Sequence, residues 1–184
     1  MTEDDRQDAR NVSLAGGVVM PLVGFGTWQL TGRRAYEAVR QALAAGYRHV
    51  DTATIYGNEE EVGQAIRDSR VPREDIFVTT KLPPDRAGRA HDTLAASLRA
   101  LGTSYVDLWL IHWPPSRRAR HAWPELLAAR DAGLARSVGV SNYSIDQIDD
   151  LISATGQTPQ VNQIPWSPFR SDADLLAASR SRGV

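Results

Sequence analysis

Four polar residues, Asp51, Tyr56, Lys81 and His112, have side chains that can act together in acid–base chemistry. A free tyrosine has a pKa of about 10 and donates a proton poorly at neutral pH, but a nearby ammonium stabilises the phenolate. Lys81 can supply that charge, and Asp51 is the expected counter-charge for a lysine inside a strand. His112 follows an apolar run and can hydrogen-bond a substrate oxygen. The set predicts an acid placed over a carbonyl group.

Taken singly, each of these residues has a simpler structural explanation. A lysine at a strand end is usually solvated, an aspartate there often forms a turn or cap, and a single buried histidine is usually a hydrogen-bonded core group. The functional interpretation is favoured because polar residues recur at the ends of successive predicted strands, namely Asp51, Lys81, His112 and Ser141 with Asn142. The separation is about 30 residues each time, the length of one βα unit.

The elements that must position these residues are strands and helices in alternation. Apolar, β-branched segments alternate with segments of helical period, which predicts parallel strands joined by helices. The predicted strands are Pro21–Thr27, His49–Ala53, Ile76–Leu82, Val106–Trp113, Ser137–Ser141 and Gln160–Ile164. The predicted helices are Arg34–Ala45, Glu59–Asp68, Ala90–Leu101, Ala122–Ala132, Ile145–Ala154 and Asp172–Ser181. Gly46 and Gly102 occupy C-cap positions, and Ser144 is a plausible N-cap.

The positions of the polar residues favour a barrel over a doubly wound sheet. Polar side chains at the C-terminal ends of successive strands meet on the top face of a (β/α)8 barrel. Gly24–Gln29 (GFGTWQ) lacks the third glycine of a dinucleotide fingerprint, and no acidic residue closes the next strand in the expected role, so a Rossmann site is not supported. About six βα units are found, whereas a complete barrel has eight. We therefore predict an α/β fold of the (β/α)8 TIM-barrel type, one domain over residues 1–184, truncated before strands seven and eight.

Composition excludes several classes of function. Of the 184 residues, 42% are hydrophobic and 23% are charged, and the net charge of −1 argues against a nucleic-acid partner. The chain has no cysteine, so disulfides and thiolate metal sites are excluded. No apolar run approaches the ~20 residues of a membrane span, and a cytoplasmic protein without membrane contact is expected. The basic run Arg117–Arg120 is expected to be a solvated loop or helix start.

Several motifs resemble those of the aldo-keto reductases, among them the prokaryotic 2,5-diketogluconate and methylglyoxal reductases. The motifs are VDTATIYGNEEEVG, FVTTKL, LIHWP, GVSNY and QVNQI, in the same order and spacing, and the resemblance covers about residues 13–169. The leading segment LAGGVVMPLVGFGTW resembles the N-terminal β-hairpin that closes the bottom of the barrel, followed by its first strand. The resemblance implies NADPH/NADP as cofactor and a small-molecule carbonyl as substrate.

The same resemblance implies a role for each site residue. Tyr56 would be the proton donor, Lys81 would lower the pKa of Tyr56 with Asp51 beside it, and His112 would orient the substrate carbonyl. Five positions would bind the cofactor: Ser141, Asn142, Gln163, Asp51 and Thr27. The first three would hydrogen-bond the carboxamide of the nicotinamide. Trp28 and Trp113 would line the substrate pocket together with His112, although both could be ordinary core aromatics. Trp109 and Trp123 are better assigned to packing.

Two further functions stay open at this point. The family holds most of its cofactor with strands seven and eight, so a fragment without them could be a catalytically impaired interaction module. His49 and Asp51 point to the same face of one strand and motivate a metal-dependent hydrolase, although His91 and His121 fall in predicted helices and no site of metal ligands is expected. A complete barrel is expected to be a monomer, whereas an open fragment could associate.

Overall fold

The computed structural model describes residues 11–114 and 122–184. The described part of the chain begins with the hairpin predicted from the sequence, in which β1 (Asn11–Ser13) pairs antiparallel with β2 (Val19–Pro21). Gly16 and Gly17 both have positive φ in its connection, a conformation that glycine adopts without a steric cost. The basic run Arg117–Arg120 and His121 lie outside the described residues.

A parallel sheet of six strands in sequential order forms the centre of the fold. The strands are β3 (Phe25–Gly26), β4 (His49–Asp51), β5 (Phe77–Leu82), β6 (Val106–Ile111), β7 (Ala135–Ser141) and β8 (Asn162–Gln163). The helices are α1 (Gly32–Ala44), α2 (Glu59–Ser69), α3 (Ala90–Leu101), α4 (Ala122–Asp131), α5 (Ile145–Thr155) and α6 (Ala173–Ser181). Short 3-10 turns cover Thr54–Tyr56, Arg73–Asp75 and Pro84–Arg89. This arrangement confirms the predicted (β/α)8-type fold and the six strand–helix units.

The sheet curves as the wall of a barrel. The Nε2 atom of Gln163, at the end of β8, donates a hydrogen bond of 2.8 Å to Oδ2 of Asp51, at the end of β4. Three strands lie between β4 and β8 in the sheet, at roughly 4.8 Å per strand. Two side chains can meet across that width only if the strands curl round toward each other.

Two apolar clusters lie on the two faces of the sheet. The outer cluster packs the strands against the helices and includes Trp109 and Trp123, as predicted, both fully buried. The inner cluster is centred on Phe77, Leu108 and Leu110, on which residues of the hairpin pack. Since the hairpin residues Leu14, Val18 and Met20 contact this inner cluster, the hairpin covers the end of the barrel opposite to the polar strand ends.

The prediction for the first strand is wrong in extent. Pro21 belongs to the hairpin, Leu22 and Val23 form an exposed bend, and β3 contains only Phe25 and Gly26. Gly24 lies against the ring of His49, where an added Cβ would be 2.8 Å from Nδ1. The chain therefore leaves the hairpin, bends past His49, and pairs with β4 over two residues only. The other predicted strands and helices agree with the structure to within two residues at each end.

Helix ends follow the local signals in the sequence. Ser144 caps α5 with a complete capping box, because its side chain accepts from the backbone of Gln147 and the Gln147 side chain accepts from the Ser144 N–H. Gly102 ends α3 in the left-handed conformation with φ of 66°. Gly46 follows Ala45, the C-cap residue of α1, with φ of 96°. Only a few residues separate these helix ends from the neighbouring strands, which limits where the strand ends can lie.

Candidate active site

The C-terminal ends of β4 to β8 bring the predicted polar residues together on one edge of the sheet. Asp51, Ser141 and Gln163 are the last residues of their strands, Lys81 is the second last of β5, and His112 directly follows β6. Parallel strands in sequential order place their C-terminal ends side by side, which is why a period of one βα unit becomes a cluster in space.

Lys81 is the most deeply buried charge of this cluster. Its side chain is 1% exposed, and Nζ donates to Oδ1 of Asp51 at 2.5 Å and to the backbone oxygen of Thr52 at 2.8 Å. Burial lowers the pKa of the Lys81 ammonium, and the charge and hydrogen bond of Asp51 oppose that shift. The counter-ion predicted from the sequence is therefore in place.

Tyr56 ends the 3-10 turn that follows β4, and its ring lies above the lysine. Nζ of Lys81 is 5.2 Å from the centre of the ring. Burial, and then the charge of Asp51, raise the pKa of Tyr56 to about 12. The net shift is therefore upward, opposite to the lowering predicted from Lys81, because burial and the charge of Asp51 dominate. The phenol holds its proton throughout the neutral range.

His112 faces both Tyr56 and Trp113. Its ring makes an edge contact with Tyr56 at 5.7 Å between centroids and stacks on Trp113 at 6.3 Å. Burial, and then the charge of Lys81, lower the pKa of His112 to about 4, so the imidazole is neutral at pH 7. Nδ1 is buried and has no hydrogen-bond partner among the described residues. A neutral imidazole beside a phenol can direct a carbonyl oxygen without competing for the proton.

A second polar group lies next to the acid–base unit formed by Asp51, Lys81, Tyr56 and His112. It consists of Ser141, Asn142 and Gln163. The Asn142 side chain donates to Oγ of Ser141 at 2.8 Å and to the backbone oxygen of His112 at 3.1 Å. The Ser141 hydroxyl donates to the backbone oxygen of Gln163 at 2.9 Å. Since Gln163 also donates to Asp51, the amide group and the ion pair belong to one hydrogen-bonded network.

The remaining predicted residues border this network in different ways. Thr27 is buried, and both its N–H (2.9 Å) and its hydroxyl (3.1 Å) donate to the backbone oxygen of Asp51, so it fixes the end of β4. Trp28 is 68% exposed and Trp113 is 48% exposed. Exposed indoles at the rim of the site are available to a ligand, and their alternative assignment as core aromatics does not match this exposure.

His49 points into the lower part of the barrel and is engaged by its neighbours. Its Nε2 atom lies 3.0 Å from Oγ1 of Thr79, and its ring makes an edge contact with Phe77. Within residues 11–114 and 122–184, no three histidine or acidic side chains are grouped so as to hold a metal ion. His91 is exposed on α3. No observation favours the metal-dependent hydrolase.

Sequence reasoning missed two buried residues that shape the site, Asn58 and Glu59. Asn58 accepts from the Thr52 hydroxyl at 2.7 Å and donates to the backbone oxygens of Thr27 (3.0 Å) and Leu30 (2.8 Å). It thereby ties the loops after β3 and β4 together. An asparagine before a helix predicts an N-cap, but this side chain makes no capping hydrogen bond and turns inward. The sequence holds no signal for that orientation.

Comparisons with known proteins agree on one family. The model of the Aldo/keto reductase family matches residues 22–184. An aldo-keto reductase of Mycolicibacterium vanbaalenii is 45% identical over 169 residues, covering 90% of this chain and 61% of that protein. A methylglyoxal reductase DkgA of Yersinia pestis is 42% identical over 168 residues, covering 90% and 61%. The chain thus spans less than two thirds of the length of these curated relatives.

Solved structures give the same result for the fold. An aldo/keto reductase from Brucella melitensis superimposes with a TM-score of 0.91 at 42% identity, covering 95% of this chain and 70% of that one. A Bombyx mori aldo-keto reductase in complex with NADP has a TM-score of 0.87 at 36% identity, covering 95% and 64%. In the described part of this chain, no helix is both long and apolar enough to cross a membrane.

Proposed function

Because this chain belongs to the aldo/keto reductase family, we propose that the site described above is the carbonyl-reducing part of an NADP-dependent oxidoreductase. The observation that carries the proposal is that the Tyr56 ring contacts both the ammonium of the Lys81–Asp51 pair and the edge of the neutral His112 ring. Relatives named methylglyoxal reductase suggest small aldehydes and ketones as the substrate class.

Each residue then has a defined part in the reduction. NADPH, when bound, supplies the hydride that adds to the carbonyl carbon. The substrate oxygen accepts a hydrogen bond from neutral His112 and takes the phenol proton of Tyr56, so an alcohol forms and a phenolate remains. A phenol with a raised pKa is protonated in the resting site, and the Lys81 ammonium 5.2 Å from the ring lowers the cost of the phenolate.

The polar residues beside the acid fit a nicotinamide. Its carboxamide presents one acceptor and two donors, and Ser141, Asn142 and Gln163 supply hydroxyl and amide groups at adjacent strand ends. Gln163 can turn from Asp51 to such a ligand, and Thr27 holds the strand end that carries Asp51. Trp28 and Trp113, both exposed at the rim, would border the substrate. We expect a cytoplasmic enzyme and, for the complete barrel, a monomer.

The test is NADPH oxidation with methylglyoxal, measured for the wild-type chain, for Tyr56→Phe and for Tyr47→Phe as a control remote from the site. The proposal predicts a loss of about 100-fold or more in turnover for Tyr56→Phe with NADPH affinity retained, since proton donation contributes about 10² to 10⁴. Tyr47→Phe should match wild type. Wild-type turnover in Tyr56→Phe would refute the role of Tyr56, and a chain that neither binds nor oxidises NADPH would favour the interaction module.

A further inference from the structure

Glu59, the first residue of α2, is a buried acidic side chain that the proposed reaction does not use. It is 8% exposed, although the next residue, Glu60, is exposed to solvent in the same helical turn. Glu59 lies between the sheet and the helices, and Lys81 points to the opposite face of β5, because neighbouring residues of a strand face opposite sides. A carboxyl group in this apolar layer requires partners.

The partners of Glu59 join the loop of Tyr56 to the strand of Lys81. The Thr80 hydroxyl donates to one carboxyl oxygen at 2.5 Å, and Ser97 Oγ lies 3.0 Å from the other. Ser97 Oγ is 3.2 Å from Oγ1 of Thr54, whose hydroxyl donates to the backbone oxygen of Lys81 at 2.9 Å. Thr54 begins the 3-10 turn that ends at Tyr56, so this chain of contacts runs from α2 through α3 to the turn that carries the phenol.

The hydroxyl protons available to these contacts can be counted. Four oxygen–oxygen contacts connect Glu59, Thr80, Ser97, Thr54 and the Lys81 carbonyl, but the three hydroxyls supply only three protons. An ionised Glu59 takes the protons of Thr80 and Ser97, and the Thr54–Ser97 contact is left without one. A protonated Glu59 donates to Ser97, Ser97 donates to Thr54, and Thr54 donates to Lys81. Only the neutral carboxylic acid gives every contact a proton.

The charges around Glu59 agree with this count. Burial raises its pKa, and the hydrogen bonds from Thr80 and Ser97 oppose that shift only in part. From β5, the ionisable neighbour is Lys81, whose ammonium is paired with Asp51 on the other face of the sheet. Its own helix adds Glu60 and Glu61, whose negative charges disfavour a third carboxylate, while the start of α2 favours one. From α3, the group that faces it is the uncharged hydroxyl of Ser97.

We propose that Glu59 is a positioning residue that, as a neutral carboxylic acid, holds the Tyr56 turn against the strand of Lys81. Its effect on catalysis rests on the function proposed above, whereas its effect on the turn does not. Without it, Thr54 loses the ordered hydroxyl that fixes its direction, and the phenol is free to move relative to the ammonium. A misplaced acid slows the chemical step more than it weakens substrate binding.

The test compares Glu59→Gln, Glu59→Leu and the control Glu60→Gln. A glutamine can accept from Thr80 and donate to Ser97, as the neutral acid does, whereas a leucine can do neither. The first measurement is hydrogen exchange of the Tyr56 and Gly57 amides, which donate to Ala53 and Thr54 within the turn. We expect exchange to be faster by about tenfold or more in Glu59→Leu and unchanged in Glu59→Gln and Glu60→Gln.

Two further measurements separate positioning from protonation. In the infrared spectrum at pH 7, the protonated carboxyl band of the wild type should be lost in Glu59→Gln and kept in Glu60→Gln. In turnover, Glu59→Leu should lower kcat about tenfold or more with little change in KM, and Glu59→Gln should restore kcat. If Glu59→Leu fails to fold, Thr54→Val breaks the same chain of contacts and should speed the same amide exchange.

Unchanged exchange in both Glu59→Leu and Thr54→Val would overturn the positioning role. A Glu59→Gln variant that behaves like Glu59→Leu, or a carboxyl band that is absent from the wild type, would overturn the neutral acid. If the wild-type chain shows no turnover, the proposed reductase function fails for this chain, and the exchange data still decide the role of Glu59.

Discussion

Lys81 and Asp51 form an ion pair in which the lysine Nζ lies 2.5 Å from Oδ1, while Oδ2 of the same carboxylate accepts from Gln163 at 2.8 Å. The carboxylate therefore joins the acid–base unit to the polar group of Ser141 and Asn142. Because the Lys81 side chain is 1% exposed, its charge depends on this single carboxylate for compensation. The pair therefore provides the counter-charge for the buried lysine and places both charges close to Tyr56.

Replacing Asp51 by asparagine should destabilise the protein strongly. The amide keeps the size of the side chain but leaves the Lys81 ammonium buried without a counter-charge, which costs about 3 kcal/mol or more of the free energy of unfolding. Urea unfolding measures this loss. The control is Glu37→Gln, which breaks the exposed ion pair with Arg33 and should change little. Equal stability changes in the two variants would contradict the view that the buried Lys81 charge needs Asp51 as its counter-charge.

His112 should make stability depend on pH below neutrality. Its pKa is about 4 in the folded chain and about 6.5 in an unfolded one, so between these values the unfolded state binds more protons. The contribution is fully present above pH 6.5 and is lost as the pH falls toward 4, by up to about 3 kcal/mol. Urea unfolding between pH 4.5 and 7.5 measures this slope.

Two variants assign the slope to His112. His112→Asn should reduce it, because the imidazole at position 112 is no longer there to be protonated in the unfolded chain; part of the slope should remain, because burial also lowers the pKa of His49. His91→Gln, which removes an exposed histidine on α3, should leave the slope unchanged. An imidazole of His112 that titrates near 6.5 in the folded protein by NMR would show that burial and Lys81 do not act as described.

The sequence is sufficient to predict which residues meet at the site, and the reason is geometric. Asp51, Lys81, His112 and Ser141 recur at the period of one βα unit, and any closed or curved parallel sheet brings such positions together. The pKa of Tyr56 could not be predicted in the same way. A lysine nearby suggests a lowered pKa, but the balance between burial, Asp51 and Lys81 depends on distances that only the fold supplies.

The same limit applies to Asn58, Glu59 and the first strand. Residues 58 and 59 belong to a polar sequence, YGNEE, in which solvent exposure is the natural expectation. They are buried because α2 lies between the loop after β3 and helix α3, which are distant in sequence. The strand after the hairpin has only two residues, and Gly24 just before it lies against His49, which is 25 residues later in the chain.

Gly63→Ala should destabilise the protein although alanine favours a helix. An added Cβ would lie 2.2 Å from the backbone oxygen of Leu101, so α2 must move away from α3. Gly63 is one turn after Glu59, and Leu101 is one turn after Ser97, so the same movement separates Glu59 from Ser97. Overpacking of this kind costs about 1 to 3 kcal/mol, more than the roughly 1 kcal/mol that alanine gains in a helix.

The matched control for this substitution is Gly88→Ala. Gly88 is exposed in the 3-10 turn before α3, and an added Cβ there meets no atom within 4 Å. Thermal and urea unfolding should therefore rank Gly63→Ala well below wild type and Gly88→Ala close to it. Because the Glu59–Ser97 contact also lies between α2 and α3, Gly63→Ala should also speed hydrogen exchange of the Tyr56 and Gly57 amides. A Gly63→Ala protein as stable as wild type would show that α2 and α3 can separate without cost, which would leave Glu59 no fixed partner through which to hold the turn.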